Sequence, residues 1–256
     1  MIPKTINEFY RSMVDGLKPF DKTNWTMLAT LLSMPILVLL FMQLGGAYFF
    51  SYLVARFPEI NQFVGDQLRF WTQVYMTLCT FLFFFFCPWL MAIFLPVKMD
   101  RPLGLGLRGA GRHFLISLTV IAIMIPVLWV SFSGAALNNF YPVYKPGSLS
   151  DWALYECIYL PLFIPTEFFF RGVLLYRLEK YFPGRGVWIA IIPYAIGHVF
   201  KPIPEALGSV IAGYVLGTLS LQCRSIWPGF VIHAGIAFLA DLFALIESGY
   251  INRLLN

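Results

Sequence analysis

Apolar residues in this chain come in long uninterrupted runs, not in the alternation of strands or the one-sided stripe of a soluble helix. Seven runs can be drawn, at 25–54, 70–97, 113–132, 152–176, 187–200, 206–221 and 226–245. A helix needs about 20 mostly apolar residues to cross the hydrocarbon core. Most of the runs meet that length. The fifth and sixth are short and joined by Lys201, Pro202, Ile203, Pro204 and Glu205, so they are not both expected to cross fully. Stretches such as Phe81 to Phe86 are apolar on every face, which excludes the alternating strand of a membrane barrel. The pattern predicts an all-α polytopic membrane helix bundle of about seven transmembrane helices, with room for an eighth, half-inserted one.

Before the first run the pattern changes. Ile6, Phe9, Tyr10, Met13, Val14 and Leu17 recur at helical spacing, with Lys4, Glu8, Arg11, Asp15 and Lys18 largely off that face. Residues 1–24 are therefore expected to form an amphipathic helix on the cytoplasmic membrane surface. No cleavable signal peptide is expected, because the charged stretch precedes a run far longer than a signal core. Residues 25–148 then carry the N-terminal spans and 149–256 a core holding most of the membrane's polar residues.

Composition agrees with the pattern. The 256 residues are 59% hydrophobic and 12% charged, with a net charge of +5; soluble domains average roughly a quarter charged residues. The basic residues sit in short loops. Lys4, Arg11, Lys18 and Lys22 precede the first run, Lys98, Arg101, Arg108 and Arg112 separate the second and third, and Arg177, Lys180 and Arg185 follow the fourth. The alternate loops hold only Arg56, Arg69, Lys145 and Lys201. This places the amino terminus in the cytoplasm and leaves no basic stripe for nucleic acid. Cys79, Cys87, Cys157 and Cys223 lack metal or redox spacing and read as buried structural thiols. Gly104, Gly106 and Gly109 spell GxGxxG, but no strand precedes them, so the dinucleotide reading fails.

Chemistry is expected where polar groups interrupt the runs. Glu167 and Arg171 share a helix face at i, i+4 and can pair. His198 ends the fifth run and His233 lies within the seventh; Glu156 precedes Glu167 by three turns and Asp241 follows His233 by two. From helix rise, Glu167 lies roughly 15 Å, His233 roughly 12 Å and His198 about 18 Å from the cytoplasmic end of its span. One slab of the bilayer thus holds a carboxylate and two imidazoles. Such a set can activate water for peptide hydrolysis, and it also matches a two-His, one-carboxylate metal site. Singly, each has a plainer use as an ion pair or an interhelical hydrogen bond.

At these residues the sequence resembles the CPBP family of intramembrane peptidases, which includes CAAX prenyl endopeptidases and bacteriocin-processing or immunity proteins. The family pattern is EExxxR, then FxxxH, then HxxxN or HxxxD. Thr166 to Arg171, followed by Gly172, is similar to the first element. Tyr194 to His198 is similar to the second, with Tyr for Phe, and Ser225 to Pro228 followed by His233 is similar to the run into the third. Gly213 and Gly217 fit the small-residue helix before it. The resemblance spans roughly 149–245 and departs twice: Thr166 replaces the Glu that activates water, and Ala237 replaces the Asn.

The resemblance implies an intramembrane endopeptidase of the glutamic type acting on a membrane-associated peptide or protein. In it Glu167, His198 and His233 are catalytic and Arg171, Thr166 and Tyr194 support them. Glu167 would activate water, the histidines would polarise it, and Arg171 would hold Glu167. No cofactor is implied; zinc on Glu167, His198 and His233 is compatible by residue type. The expected partners are the peptide and the lipid bilayer, with no nucleic acid, in a multi-pass protein of a bacterial plasma membrane. Thr166 and Ala237 keep a second expectation open, a catalytically silent homologue that binds or escorts membrane peptides. A small transporter is a third, disfavoured by the lack of an internal repeat.

Overall fold

A computed structural model of the protein describes residues 22–94, 103–133, 137 and 140–255. The expected surface helix at 1–24 lies almost wholly outside the described residues. Among them every regular element is helical. Six helices are long and apolar enough to cross a membrane, and an eleven-residue apolar helix lies between the fourth and fifth.

The first is α1, Lys22–Leu40, continued by a π-helical turn at Phe41–Gly45. The chain breaks at Gly46, in extended geometry, before α2, Ala47–Arg56. The single run read at 25–54 is thus one span and a separate short helix, because hydropathy does not register a backbone break between two apolar pieces. Pro58 opens α3, Pro58–Val64, where its missing N–H costs nothing. Then come α4, Leu68–Phe94, and α5, Ala110–Phe132. Ser148 caps α6, Leu149–Tyr181, by accepting from the Asp151 N–H at 3.1 Å. The remaining helices are α7, Gly186–Ile196, α8, Ile203–Cys223, α9, Trp227–Glu247, and α10, Tyr250–Leu255.

At 33 residues, α6 is about 50 Å long, well beyond a hydrocarbon core of about 30 Å. It is the hub. Phe168, Phe169 and Phe170 are all buried against α4: Phe84 stacks on Phe169 at 4.7 Å and Phe85 lies tilted against Phe168 at 4.6 Å. Met34 and Val38 of α1, Tyr194 of α7 and Ile226 complete this core. On the far side α5 packs against α9, where the Ser117 hydroxyl donates to Pro228 O at 3.3 Å.

Arg177 departs from its expected place among loop charges. It lies within α6, fully buried, and its Nη1 donates to Thr30 Oγ1 of α1 at 3.1 Å. The hydroxyl partner, 147 residues away, lets a guanidinium stay inside the bundle. The other shift concerns α7, which ends at Ile196 after about 16 Å. A turned segment continues to α8, with N–H groups bonded from His198 to Ala195, Val199 to Ile196 and Lys201 to His198. Irregular backbone within an apolar stretch needs its polar groups satisfied in this way. This break presents His198.

Candidate active site

Local geometry of α6 sets the first side chains. Pro161 and Pro165 withhold two helix donors. Around them the helix tightens to a 3-10 turn at Leu160–Leu162 and then widens to a π-helix at Phe168–Leu174. Such widened turns recur at functional sites. Glu167 sits at the junction, fully buried, and Arg171 lies inside the widened turn. Arg171 Nη1 donates to Glu167 Oε1 at 3.0 Å. The expected pair exists, and its burial with a direct charge-assisted bond makes it interior architecture, not a surface ion pair.

His233 of α9 reaches the same oxygen, its Nδ1 3.0 Å from Glu167 Oε1. A carboxylate accepts, so Nδ1–H donates and the other ring nitrogen, Nε2, keeps a lone pair in the neutral ring. Phe163, one turn before Glu167, lies against the His233 ring at 4.3 Å. Gly229 makes the approach feasible: a Cβ there would collide with Glu167 Oε2.

The end of α7 supplies the other wall. The Tyr194 ring lies 3.9 Å from the Arg171 guanidinium carbon, a cation–π contact. His198 packs on Tyr194 at 4.6 Å, and its Nδ1 is 2.9 Å from the Tyr194 carbonyl oxygen. A carbonyl only accepts, so His198 too turns an unprotonated Nε2 away from its anchor. The rings of His198 and His233 lie 6.5 Å apart and nearly parallel, at 21°. Their side chains are partly exposed, His233 by 17%, whereas that of Glu167 is sealed at 0%.

Of the six residues singled out by sequence, Glu167, Arg171, Tyr194, His198 and His233 form one contact chain. Thr166 stands apart from it: its hydroxyl donates to Leu162 O at 2.9 Å, within its own helix. Glu156 and Asp241 do not join Glu167. Their carboxyls face one another, and Trp152 Nε1 donates to Glu156 at 2.9 Å. Sequence reasoning missed Phe163 and Gly229; the small residue one turn before His233 was the available signal for the latter. Among the described residues no three His, Cys, Asp or Glu side chains are arranged to hold a metal ion.

Residues 149–239 match the family model of the Rce1-like type II CAAX prenyl endopeptidases. This part of the chain is similar to the CAAX prenyl endopeptidases. The matched segment contains α6 to α8 and most of α9, hence every residue of the contact chain, while α1 to α5 lie outside it. No curated protein and no solved structure matches the chain. A multi-pass membrane protein with a segment similar to the CAAX prenyl endopeptidases is therefore the frame for its chemistry.

Proposed function

We propose that this protein is an intramembrane endopeptidase in which Glu167 acts through His233, and His233 with His198 delivers water to a peptide carbonyl. The observation that carries this reading is the Glu167–His233 hydrogen bond, with both imidazoles anchored through Nδ1. His233 Nε2 takes a proton from water as its oxygen attacks the carbonyl carbon. Glu167 stabilises the imidazolium that results, and Arg171 holds and aims Glu167. His198 Nε2 accepts the second water hydrogen and fixes the attack direction. The proton on His233 then passes to the departing amine as the C–N bond breaks, so water is consumed and two chain ends form. Zinc is not needed for these steps. The substrate is a membrane-associated peptide, prenylated or not, that enters from the lipid.

The proposed setting is a bacterial plasma membrane with the amino terminus in the cytoplasm. Arg108, Arg112, Lys180 and Arg185 gather at one end of the spans, which supports that orientation.

One observation favours a second reading, peptide binding without cleavage. Position 166 offers only a hydroxyl turned into its own helix, and Ala237 offers no donor for an oxyanion. A single experiment separates the two. Membrane peptides are incubated with the purified protein and with His233→Ala, His198→Ala and Glu167→Gln. Hydrolysis is expected to fall on the order of 100-fold or more in His233→Ala, the scale of a lost general base. Binding without cleavage by the unaltered protein, with cleavage appearing in Thr166→Glu, would overturn hydrolysis and establish the second reading.

A further inference from the structure

The glycine-bearing segment before α5, which the catalytic reading does not use, forms one wall of a cavity. Its backbone is fastened to the start of α9 by three bonds: Ile226 N–H to Gly104 O at 2.9 Å, Ser225 Oγ to Gly106 O at 3.0 Å, and Trp227 Nε1 to Leu105 O at 3.1 Å. Gly104 has φ +74°, and a Cβ there would stand 2.7 Å from Ile226, so only glycine permits this docking. The loop is a rigid platform.

Gly106 and Arg108 of that platform, with Gln222, Cys223 and Arg224 at the end of α8, line a cavity of about 290 Å³. That is on the order of ten water volumes. Arg112, in the first turn of α5, brings its charge onto the Cys223 thiol in the same wall. Arg108 and Arg224 thus line the recess with Arg112 close to its Cys223 wall, all three exposed and with no carboxylate or other partner among the described residues. The arginines at the opposite ends of the spans are placed differently: Arg56 packs on the Phe57 ring and Arg69 Nη1 donates to the Val143 carbonyl. Orientation alone would call for positive residues at this face, but not for their convergence on one recess.

Electrostatics set the sign of the ligand. The C-terminus of α8 contributes about half a negative charge and the N-terminus of α5 about half a positive one, so the two ends nearly cancel. Three full positive charges remain. A guanidinium fork pairs bidentately with phosphate oxygens, and a phosphate has enough oxygens to engage more than one fork at once. The recess lies at the adjoining ends of α5, α8 and α9, three helices long and apolar enough to span, and the ends of such helices fall near the headgroup level.

We propose that Arg108, Arg112 and Arg224 form a phosphate-binding site, filled by the headgroup of an anionic phospholipid or by a free phosphate. The test uses the full-length protein in detergent with three probes: short-chain phosphatidylglycerol, short-chain phosphatidylcholine and inorganic phosphate, read by calorimetry or native mass spectrometry. Phosphatidylglycerol is expected to bind at least tenfold more tightly than phosphatidylcholine. The R108Q/R112Q/R224Q variant should lose that preference, with its melting temperature unchanged, while R56Q keeps it. Displacement of the lipid by inorganic phosphate would support the site and identify a soluble phosphate as its ligand; failure to displace it would support the site with the lipid as its source. Equal binding of the two lipids, or full retention of the preference in the triple variant, would overturn the proposal. Retention of preference in R224K but not R224Q would tie the effect to charge at that position.

Discussion

Two helices of this protein both qualify as membrane spans by apolarity and length yet have opposite surroundings. Both α5 and α6 are long enough to span, but 11% of the most apolar stretch of α5 is buried against 67% for α6. Leu115, Ile123 and Val130 of α5 face outward at 64–69% exposure, as lipid-facing residues do. On α6, the segment from Glu167 to Leu178 is buried at every position. Apolarity therefore says that a helix lives in lipid, not whether it touches lipid. What separates the two is charge: α5 has its arginine in the first turn, whereas α6 carries Glu167, Arg171 and Arg177 in its interior. A charged group in a span needs protein around it, so the polar helix becomes the central one.

The harshest way to break this contrast is to remove one charge from α6. Arg171→Met leaves Glu167 with His233 alone inside the bundle. The expected loss is about 3–5 kcal/mol, the cost of stranding one member of a buried pair. Unfolding of the purified protein in mixed micelles would measure it. Glu167→Gln combined with Arg171→Met should recover much of the loss, since the stranded charge goes with it. A single-variant loss below about 1 kcal/mol, the scale of a surface pair, would mean that Glu167 reaches water, and the sealed interior of α6 would be wrong.

The parts that were legible in the sequence follow from local rules. Glu167 and Arg171 are four apart, so helix geometry brings them together whatever surrounds them. The long helices follow from apolar length alone. Where the reading fell short, the determinant lies elsewhere in the chain. Arg177 sits beside Lys180 and Arg185 and reads as a loop charge, because Thr30, which receives its Nη1, belongs to another helix. His198 and His233 could be assigned a common depth but no contact. Their actual relation depends on the break after Ile196 and on the absence of a side chain at Gly229, neither of which is a hydropathy signal. The break at Gly46 escaped for the same reason.

Gly229→Ala sharpens the comparison at the point where α9 meets α6. The new methyl would occupy the space of Glu167 Oε2, so either the carboxylate or the helix must move. Overpacking of this kind costs about 1–3 kcal/mol. It should also lengthen the Glu167–His233 bond and lower hydrolysis more than it lowers peptide affinity. An unchanged rate beside a measured loss of stability would separate the packing of α9 from the proposed dyad.

The smallest effect belongs to α5. Ile123→Ala removes side-chain atoms that are 64% exposed and that exchange contacts with lipid tails for contacts with other lipid tails. Lipid is as apolar as the side chain, so no hydrophobic term favours isoleucine there, and alanine is the better helix former by a few tenths of a kcal/mol. The stability change should stay within about 0.5 kcal/mol, the range of substitutions away from packed features. A loss of about 2 kcal/mol, the cost of truncating a buried isoleucine, would show that this face of α5 is covered by protein in the membrane. The contrast between α5 and α6 would then be one of partners, with α6 buried by its own chain and α5 by another.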